Sequence, residues 1–264
     1  MDSWVLITGG ATRLGRETGL AFAKAGWNVI CHYRNSQELA KAFCQEALKL
    51  QVQAQCIQAE LESEEDCSKF FETAISLSDG RLSCIVNNAS LFNSDRANNF
   101  QEVEALAQLK VNLMAPMRLG KWFHQYLFLQ KPPLAADPSI VHILDQKVFN
   151  LNPDYYSYTI SKLALERLVA LQAQSFAPLI RVNAVAPGLL YPSGPQNLEN
   201  FNKASQANLL RRAIEPEKVA QSVLFLANNS CITGTSIKVD NGQHLVPSEK
   251  DIMFVVDEFL NKTL

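Results

Sequence analysis

The sequence predicts an α/β fold: a doubly wound parallel sheet of about seven strands with helices on both faces. Three observations predict it. Short apolar, β-branched runs alternate with longer segments of helical period along the chain, the pattern of successive β-α units. Runs such as Ser83–Ala89 (SCIVNNA) and Ile180–Pro187 (IRVNAVAP) are nearly continuously apolar rather than alternating, as strands covered on both sides are. The first strand also leads straight into a glycine-containing turn that opens a helix, the arrangement of Rossmann-type folds.

Trp4–Thr8 is the first strand. Leu14–Ala25 follows as a helix, with Leu14, Leu20, Ala21 and Ala25 near helical spacing and Gly26 suited to stopping it. Asn28–Tyr33, Val52–Gln58 and Leu82–Asn88 are the next strands, separated by helices over Ser36–Leu50 and Ser63–Leu77. Phe100–Leu129 reads as one long helix, Ser139–Leu144 as the fifth strand and Tyr156–Phe176 as a further helix. Ile180–Ala186, a helix over Pro216–Ala227, and Ser236–Val239 complete the pattern. The one long irregular stretch is Gly188–Asn202, rich in Pro, Gly and Asn. It follows a strand on the side where open α/β sheets bind ligands, which suits a substrate-covering segment or a plain surface loop. In the segment Glu249–Leu264, Ile252, Val255, Val256 and Phe259 fit an amphipathic helix, to which no function attaches. No repeat or linker divides the chain, so residues 1–264 read as a single domain with a C-terminal extension, 249–264.

The bulk properties argue against several classes of function. A formal net charge of −2 favours neither nucleic acid nor an anionic membrane as partner. The N-terminus lacks a signal-peptide pattern, and no apolar run is long enough to span a bilayer. The six cysteines are scattered without a Cys-x-x-Cys pair and read as reduced thiols; the four histidines have no metal-ligand spacing. A cytoplasmic protein without a bound metal is expected.

The turn Thr8-Gly9-Gly10-Ala11-Thr12-Arg13-Leu14-Gly15 sits between the first strand and the first helix. Glycines there let the backbone approach a phosphate, and the helix N-terminus offers free N–H groups and a positive dipole end. Its spacing is not G-x-G-x-x-G, so position carries more of the argument than the glycines do. Arg13 adds a cation able to reach a phosphate. In dinucleotide folds an acidic residue often closes the second strand and takes the ribose 2′-hydroxyl. Here that strand ends in His32-Tyr33-Arg34-Asn35-Ser36. Arg34 and Ser36 suit a 2′-phosphate instead, which points to NADPH over NADH, unless Arg34 is only a solvated loop cation.

In Tyr158-Thr-Ile-Ser-Lys162 two chemically useful side chains stand four apart and share a helix face. An ammonium beside a phenol favours the phenolate, so Lys162 is expected to lower the Tyr158 pKa and make it a proton donor at neutral pH. With these residues, Asn87-Asn88-Ala89, Asn112, Pro187-Gly188, Thr233-Gly234 and Val239-Asp240-Asn241-Gly242, nearly the whole chain resembles the short-chain dehydrogenases/reductases. The resemblance implies that Tyr158 is the acid/base, that Lys162 binds the nicotinamide ribose, and that Asn112 supports a proton relay. It also implies cofactor contacts from Gly9, Leu14, Gly15, Glu60, Leu61, Asn88, Ala89, Ser90, Pro187, Gly188 and Leu189, and a homotetramer using the fourth and fifth helices.

Two departures narrow the resemblance. Arg13 stands where family members usually have glycine, and Asp145, thirteen residues before Tyr158, stands where most have serine. Both are similar to the pteridine reductases and the related bacterial dihydromonapterin and dihydrofolate reductases. Asn88-Ala89-Ser90-Leu91-Phe92 matches too, and the resemblance implies that Ser90 and Phe92 line a pterin site. Arg212 also matches; Glu60 replaces the usual Asp at a position where backbone often contacts adenine. A serine hydroxyl can donate to a ketone oxygen becoming an alkoxide, whereas an ionised carboxylate repels it. Reduction of a C=N bond needs a proton at nitrogen, which a carboxyl of raised pKa suits. Phe92 suits stacking on a flat pterin, or a place in the core; Asp145 suits proton transfer, or capping a loop. The expected function is NADPH-dependent reduction of a dihydropterin or dihydrofolate, with substrate contacts from Ser90, Phe92, Asp145 and Tyr158. A carbonyl (3-oxoacyl-type) reductase and a non-catalytic NADPH-binding sensor are the alternatives.

Overall fold

The computed structural model describes residues 3–130, 137–194, 196–254 and 256. Seven strands form one parallel sheet in the order β3-β2-β1-β4-β5-β6-β7. They are β1 (Trp4–Ile7), β2 (Asn28–Tyr33), β3 (Ala54–Gln58), β4 (Leu82–Asn87), β5 (Ser139–Ile143), β6 (Arg181–Pro187) and β7 (Ser236–Val239). Each lies within two residues of the run that predicts it.

The two faces explain why those runs are continuously apolar. Along β1, Val5 and Ile7 enter one core, while Trp4 and Leu6 enter the other. The first core is covered by α1 (Arg13–Lys24), α2 (Gln37–Leu48) and α8 (Pro216–Asn228), through Phe22, Phe43 and Val223 among others. The second is covered by α3 (Glu64–Leu77) and α5 (Ala115–Leu129), through Phe70, Leu119 and Phe123, with Ala173 of α6 (Tyr156–Phe176) at its edge. Burying one such Phe or Leu side chain stabilises the fold by roughly 1.5–3 kcal/mol. A polar residue at either parity of a central strand therefore loses contacts in one core or the other.

Three features differ from the sequence-based expectation. The helix expected over Phe100–Leu129 is divided into α4 (Glu102–Leu109) and α5 by a π-helical turn, Lys110–Met114, which carries Asn112. The stretch after Gly188 is not irregular throughout: α7 (Leu198–Ala204) starts within it, with the Asn197 side chain accepting the Asn200 N–H at 2.8 Å. In the C-terminal segment Ile252, Met253, Phe254 and Val256 are helical, and Met253 and Val256 are buried. Val255 and Phe259 lie outside the described residues.

The strand order reverses between β1 and β4. Two neighbouring strands there send their connections to opposite faces of the sheet, leaving a crevice beyond their C-terminal ends.

Candidate active site

The crevice begins with the turn after β1. Thr8 Oγ1 accepts the backbone N–H groups of Asn88 and Ala89 at 2.9 and 3.0 Å. The Asn88 amide donates back to the carbonyls of Thr8 and Gly9 at 2.9 and 3.1 Å. Gly9 has φ +63°. A Cβ on Gly15 would lie 2.1 Å from the Gly9 carbonyl oxygen, so only glycine lets the start of α1 close on the turn. The first turn of α1 holds no acidic side chain, and its N-cap residue Thr12 makes no side-chain capping bond. Such a terminus leaves N–H groups for an anion.

His32 holds the turn from behind. Its Nδ1 accepts the Gly9 N–H at 2.9 Å, and its Nε2 lies 3.1 Å from the Ala59 carbonyl oxygen, to which it donates. That pairing requires the neutral ring with the proton on Nε2. Burial pushes the imidazole pKa down to about 4, only partly opposed by the bond to Ala59.

Two lobes extend from Gly9. One, of about 320 Å³, is bordered by His32, Tyr33, Arg34, Asn35, Ser36, Glu60 and Leu61. Arg34 is exposed there. The other, of about 390 Å³, is bordered by Arg13, Leu14 and Gly15, by Phe92, Asp145 and Tyr158, and by Lys162, Pro187, Gly188 and Leu189. Ala89 and Ser90 border both lobes, and Asn88 the larger. Arg13, held at φ +49°, places its guanidinium 5.8 Å from the centre of the Tyr191 ring.

Asp145 lies two residues beyond β5 and caps the 3-10 turn Gln146–Val148, and Tyr158 and Lys162 share one face of α6. The Tyr158 phenol donates to Asp145 Oδ2 at 2.9 Å. Asp145 Oδ1 accepts the Lys147 N–H at 2.8 Å, so one carboxylate caps the following turn and faces the phenol at once. The Lys162 ammonium donates to the Ile143 carbonyl at 2.8 Å. Burial raises the Asp145 pKa, against the opposing pull of Lys147, Tyr158 and Lys162. Burial lowers the Lys162 pKa to about 8, opposed by Asp145. The expected lowering of the Tyr158 pKa is not found. Burial, and then the facing Asp145, raise it well above its ordinary value. In this geometry the lysine is engaged with a backbone carbonyl, and the carboxylate is the phenol's nearest charged partner.

Asn112 lies behind the wall. Its amide donates to Leu91 O and Ser161 Oγ, both at 2.9 Å, and its oxygen accepts the Leu91 N–H at 2.8 Å and the Ser90 hydroxyl at 3.1 Å. The π turn sets the angle of that side chain, a use of π geometry common near functional sites. Phe92 stacks face to face on Tyr155 at 4.0 Å and meets Tyr158 edge-on at 4.6 Å. One face of Phe92 is therefore already covered by a protein ring. Tyr155, Lys147 and Asp251 belong to this environment and carry no sequence motif. Arg212 lines neither lobe.

A family model described as enoyl-(acyl carrier protein) reductase matches residues 9–244. The chain belongs to the short-chain dehydrogenases/reductases. Among curated members of this family, the dihydromonapterin reductase of Enterobacter sp. (strain 638) is 29% identical over 241 residues, covering 91% of this chain and 96% of that protein. The Escherichia coli (strain SMS-3-5 / SECEC) dihydromonapterin reductase is 25% identical over the same shares. The chain is also similar to a solved short-chain reductase, FolM alternative dihydrofolate reductase 1 from Brucella suis in complex with NADP. The TM-score is 0.86 with 34% identity, covering 93% of this chain and 96% of that one. The Brucella canis FolM structure, complexed with NADP, gives 0.83 and 33%, covering 92% and 94%.

Proposed function

We propose that this chain is an NADPH-dependent reductase that converts a dihydropterin or dihydrofolate to the tetrahydro form, acting as a single domain with Asp145, Tyr158 and Lys162 at its centre. The observation that carries the reading is the buried Tyr158–Asp145 hydrogen bond of 2.9 Å at the wall of the larger lobe. An ionised carboxylate there repels a forming alkoxide, whereas a carboxyl whose pKa burial raises suits proton delivery to nitrogen. The names of the similar proteins, dihydromonapterin reductase and alternative dihydrofolate reductase with NADP, support the same reading.

The residues present fit NADPH. Gly9, Leu14, Gly15 and the open α1 terminus suit its pyrophosphate, with Arg13 adding charge. Arg34 and Ser36 suit the 2′-phosphate, and Tyr158 and Lys162 the ribose on the nicotinamide side. When bound, NADPH supplies the hydride. Tyr158 and Asp145 hold a proton between Oη and Oδ2 and deliver it to the substrate nitrogen. The Lys147 N–H holds Oδ1, so that Oδ2 keeps its direction. Asn112 acts by fixing Ser90 and Leu91, and Ser90 and Phe92 take part in receiving the substrate ring.

A homotetramer is supported by apolar side chains exposed on α5 and α6: Met117, Phe128, Ile160 and Leu171. The six cysteines, all free thiols, accord with a cytoplasmic setting. Among the described residues no helix is long and apolar enough to cross a membrane. The test is NADPH oxidation with dihydrobiopterin, dihydromonapterin, dihydrofolate and a panel of ketones. Turnover of a dihydropterin or dihydrofolate is expected; brisk ketone reduction with every dihydropterin and dihydrofolate ignored overturns the proposal.

A further inference from the structure

The segment after Ser248 is fastened to three separate parts of the chain beside the larger lobe. Lys147 Nζ and Asp251 Oδ2 form an ion pair of 3.0 Å in which both side chains are largely buried. The same ammonium donates to Asn152 Oδ1 at 2.8 Å. The Asp251 N–H donates to Asp154 Oδ2 at 2.8 Å, and the Asn200 amide of α7 donates to the Met253 carbonyl at 2.9 Å. Met253 packs in one apolar cluster with Tyr155, Tyr158 and Phe92. Together these bonds place Asp251 and Ile252 on the wall that also carries Asp145 and Tyr158. Both Asp251 oxygens are engaged: Oδ1 accepts the Met253 N–H at 3.2 Å, and Oδ2 faces Lys147. Asp251 is thus a fastening, and Ile252 is the apolar group it holds at the cavity.

We propose that Ile252, held by the Asp251–Lys147 pair, is a specificity-determining residue that favours dihydropterins with a compact ring substituent over dihydrofolate. The inference rests on the function proposed above. The lobe of about 390 Å³ has to hold both the reacting end of the cofactor and the substrate ring. What remains for a substituent is set by the wall at the substrate end, where Ile252 stands. Dihydrofolate carries an aminobenzoyl-glutamate tail with two carboxylates. Lys147, which lines this wall, has its charge matched by Asp251, so the wall offers that tail neither added width nor a free charge from this residue.

The experiment compares kcat/KM for dihydrobiopterin and dihydrofolate in the full chain and in Ile252→Ala and Asp251→Asn, with NADPH affinity measured by fluorescence. The wild type is expected to prefer dihydrobiopterin. Ile252→Ala is expected to raise the dihydrofolate-to-dihydrobiopterin ratio about tenfold, the order expected for removing a few methylene-sized groups from a pocket wall. Asp251→Asn is expected to raise KM for both substrates with little change in kcat. NADPH affinity stays unchanged in both, because the glycine turn is untouched. A wild type that prefers dihydrofolate, or an unchanged ratio in an Ile252→Ala protein that still binds NADPH, overturns the specificity proposal alone. A wild type that reduces neither substrate nor any other dihydropterin overturns the functional reading, and this proposal with it. If Asp251→Asn fails to fold because Lys147 is left unpaired, Ile252→Ala still decides.

Discussion

Tyr158 donates its phenol hydrogen to Asp145 Oδ2 at 2.9 Å, while the other oxygen of Asp145 is tied to the Lys147 N–H at 2.8 Å. The second bond gives the first its direction. Burial raises the pKa of both the carboxyl and the phenol, so the protonated forms of the pair are favoured beyond the range of either group in water. Two oxygens this close titrate together, and a pH profile reports the pair rather than one residue.

Because burial raises both pKa values, kcat/KM for a dihydropterin is expected to fall as pH rises through the first deprotonation of the pair, at a pH above that of an ordinary carboxyl. Tyr158→Phe keeps the ring against Phe92 but removes the phenol, and is expected to lower turnover by roughly 10²–10⁴-fold. Asp145→Ser is expected to lower dihydropterin turnover by about 10²-fold and to abolish the pair's alkaline limb, with any ketone reduction rising. The check is kcat/KM against pH for the three proteins. Near-normal dihydropterin turnover by Tyr158→Phe shows that the phenol is not the donor.

Cofactor choice is tested at the other lobe. NADPH is expected to be preferred over NADH. Arg34→Ala is expected to weaken NADPH by about 1.5–3 kcal/mol, nearer the lower figure because Arg34 is exposed, and to leave NADH almost unaffected. Measuring kcat/KM with both cofactors decides it; equal use of NADH by the wild type removes the assignment of Arg34 and Ser36.

The strands are legible in the sequence because burial on both faces leaves no polar residue in β1, and a run of Ile140, Val141 and Ile143 in β5 interrupted only by His142. The break between α4 and α5 is not. A π turn admits one more residue per hydrogen-bonded loop without a residue type that marks it, and the apolar period continues on either side. The seven residues of α7 are too few to show a period, although Asn197 is a good cap. Asp145, Tyr158 and Lys162 are legible from their spacing, but the direction of the Tyr158 pKa is not: burial and the facing carboxylate depend on how β5 meets α6. The Lys147–Asp251 pair joins positions far apart in the chain with no local pattern at either.

The turn after β1 gives a stability test. A Cβ at Gly15 would meet the Gly9 carbonyl at 2.1 Å and the Asn88 amide at 2.7 Å. Neither can yield without disturbing the Asn88 bonds that join the turn after β1 to the end of β4. Gly15→Ala is expected to destabilise by about 1–3 kcal/mol or more, outweighing the gain of up to about 1 kcal/mol in helix propensity, and to weaken NADPH binding sharply. Denaturant unfolding and NADPH titration check this. An unchanged midpoint with unchanged affinity shows that the turn does not need its present closure.

His32 offers the clearest test of pH dependence. Its neutral ring accepts from Gly9 and donates to Ala59, and burial lowers its folded pKa to about 4 from an ordinary 6.5. Protonation would set an Nδ1 proton against the Gly9 N–H, two donors facing each other in a buried position. The unfolded chain therefore takes up this proton first as pH falls. The His32 contribution to stability is complete above pH 6.5 and is lost as pH drops toward 4. Between pH 7 and 4.5 the loss is about 2–3 kcal/mol. His142, buried between Asn87 and Gln172 and also lowered to about 4, adds a loss of the same sign. His32→Asn keeps an acceptor near Gly9 but no longer titrates. It is expected to be less stable than wild type at pH 7, and to lose about 2–3 kcal/mol less on going to pH 4.5. Carboxylates titrating over that range are common to both proteins and cancel in the comparison. Unfolding free energies from urea titrations at the two pH values give the answer; the same pH dependence in both proteins shows that His32 is not the neutral bridge behind the turn. NADPH affinity followed over the same range then separates the two roles of the ring. A fall in the wild type that is absent in His32→Asn, at pH values where both remain folded, ties the loss to the Gly9 N–H rather than to unfolding.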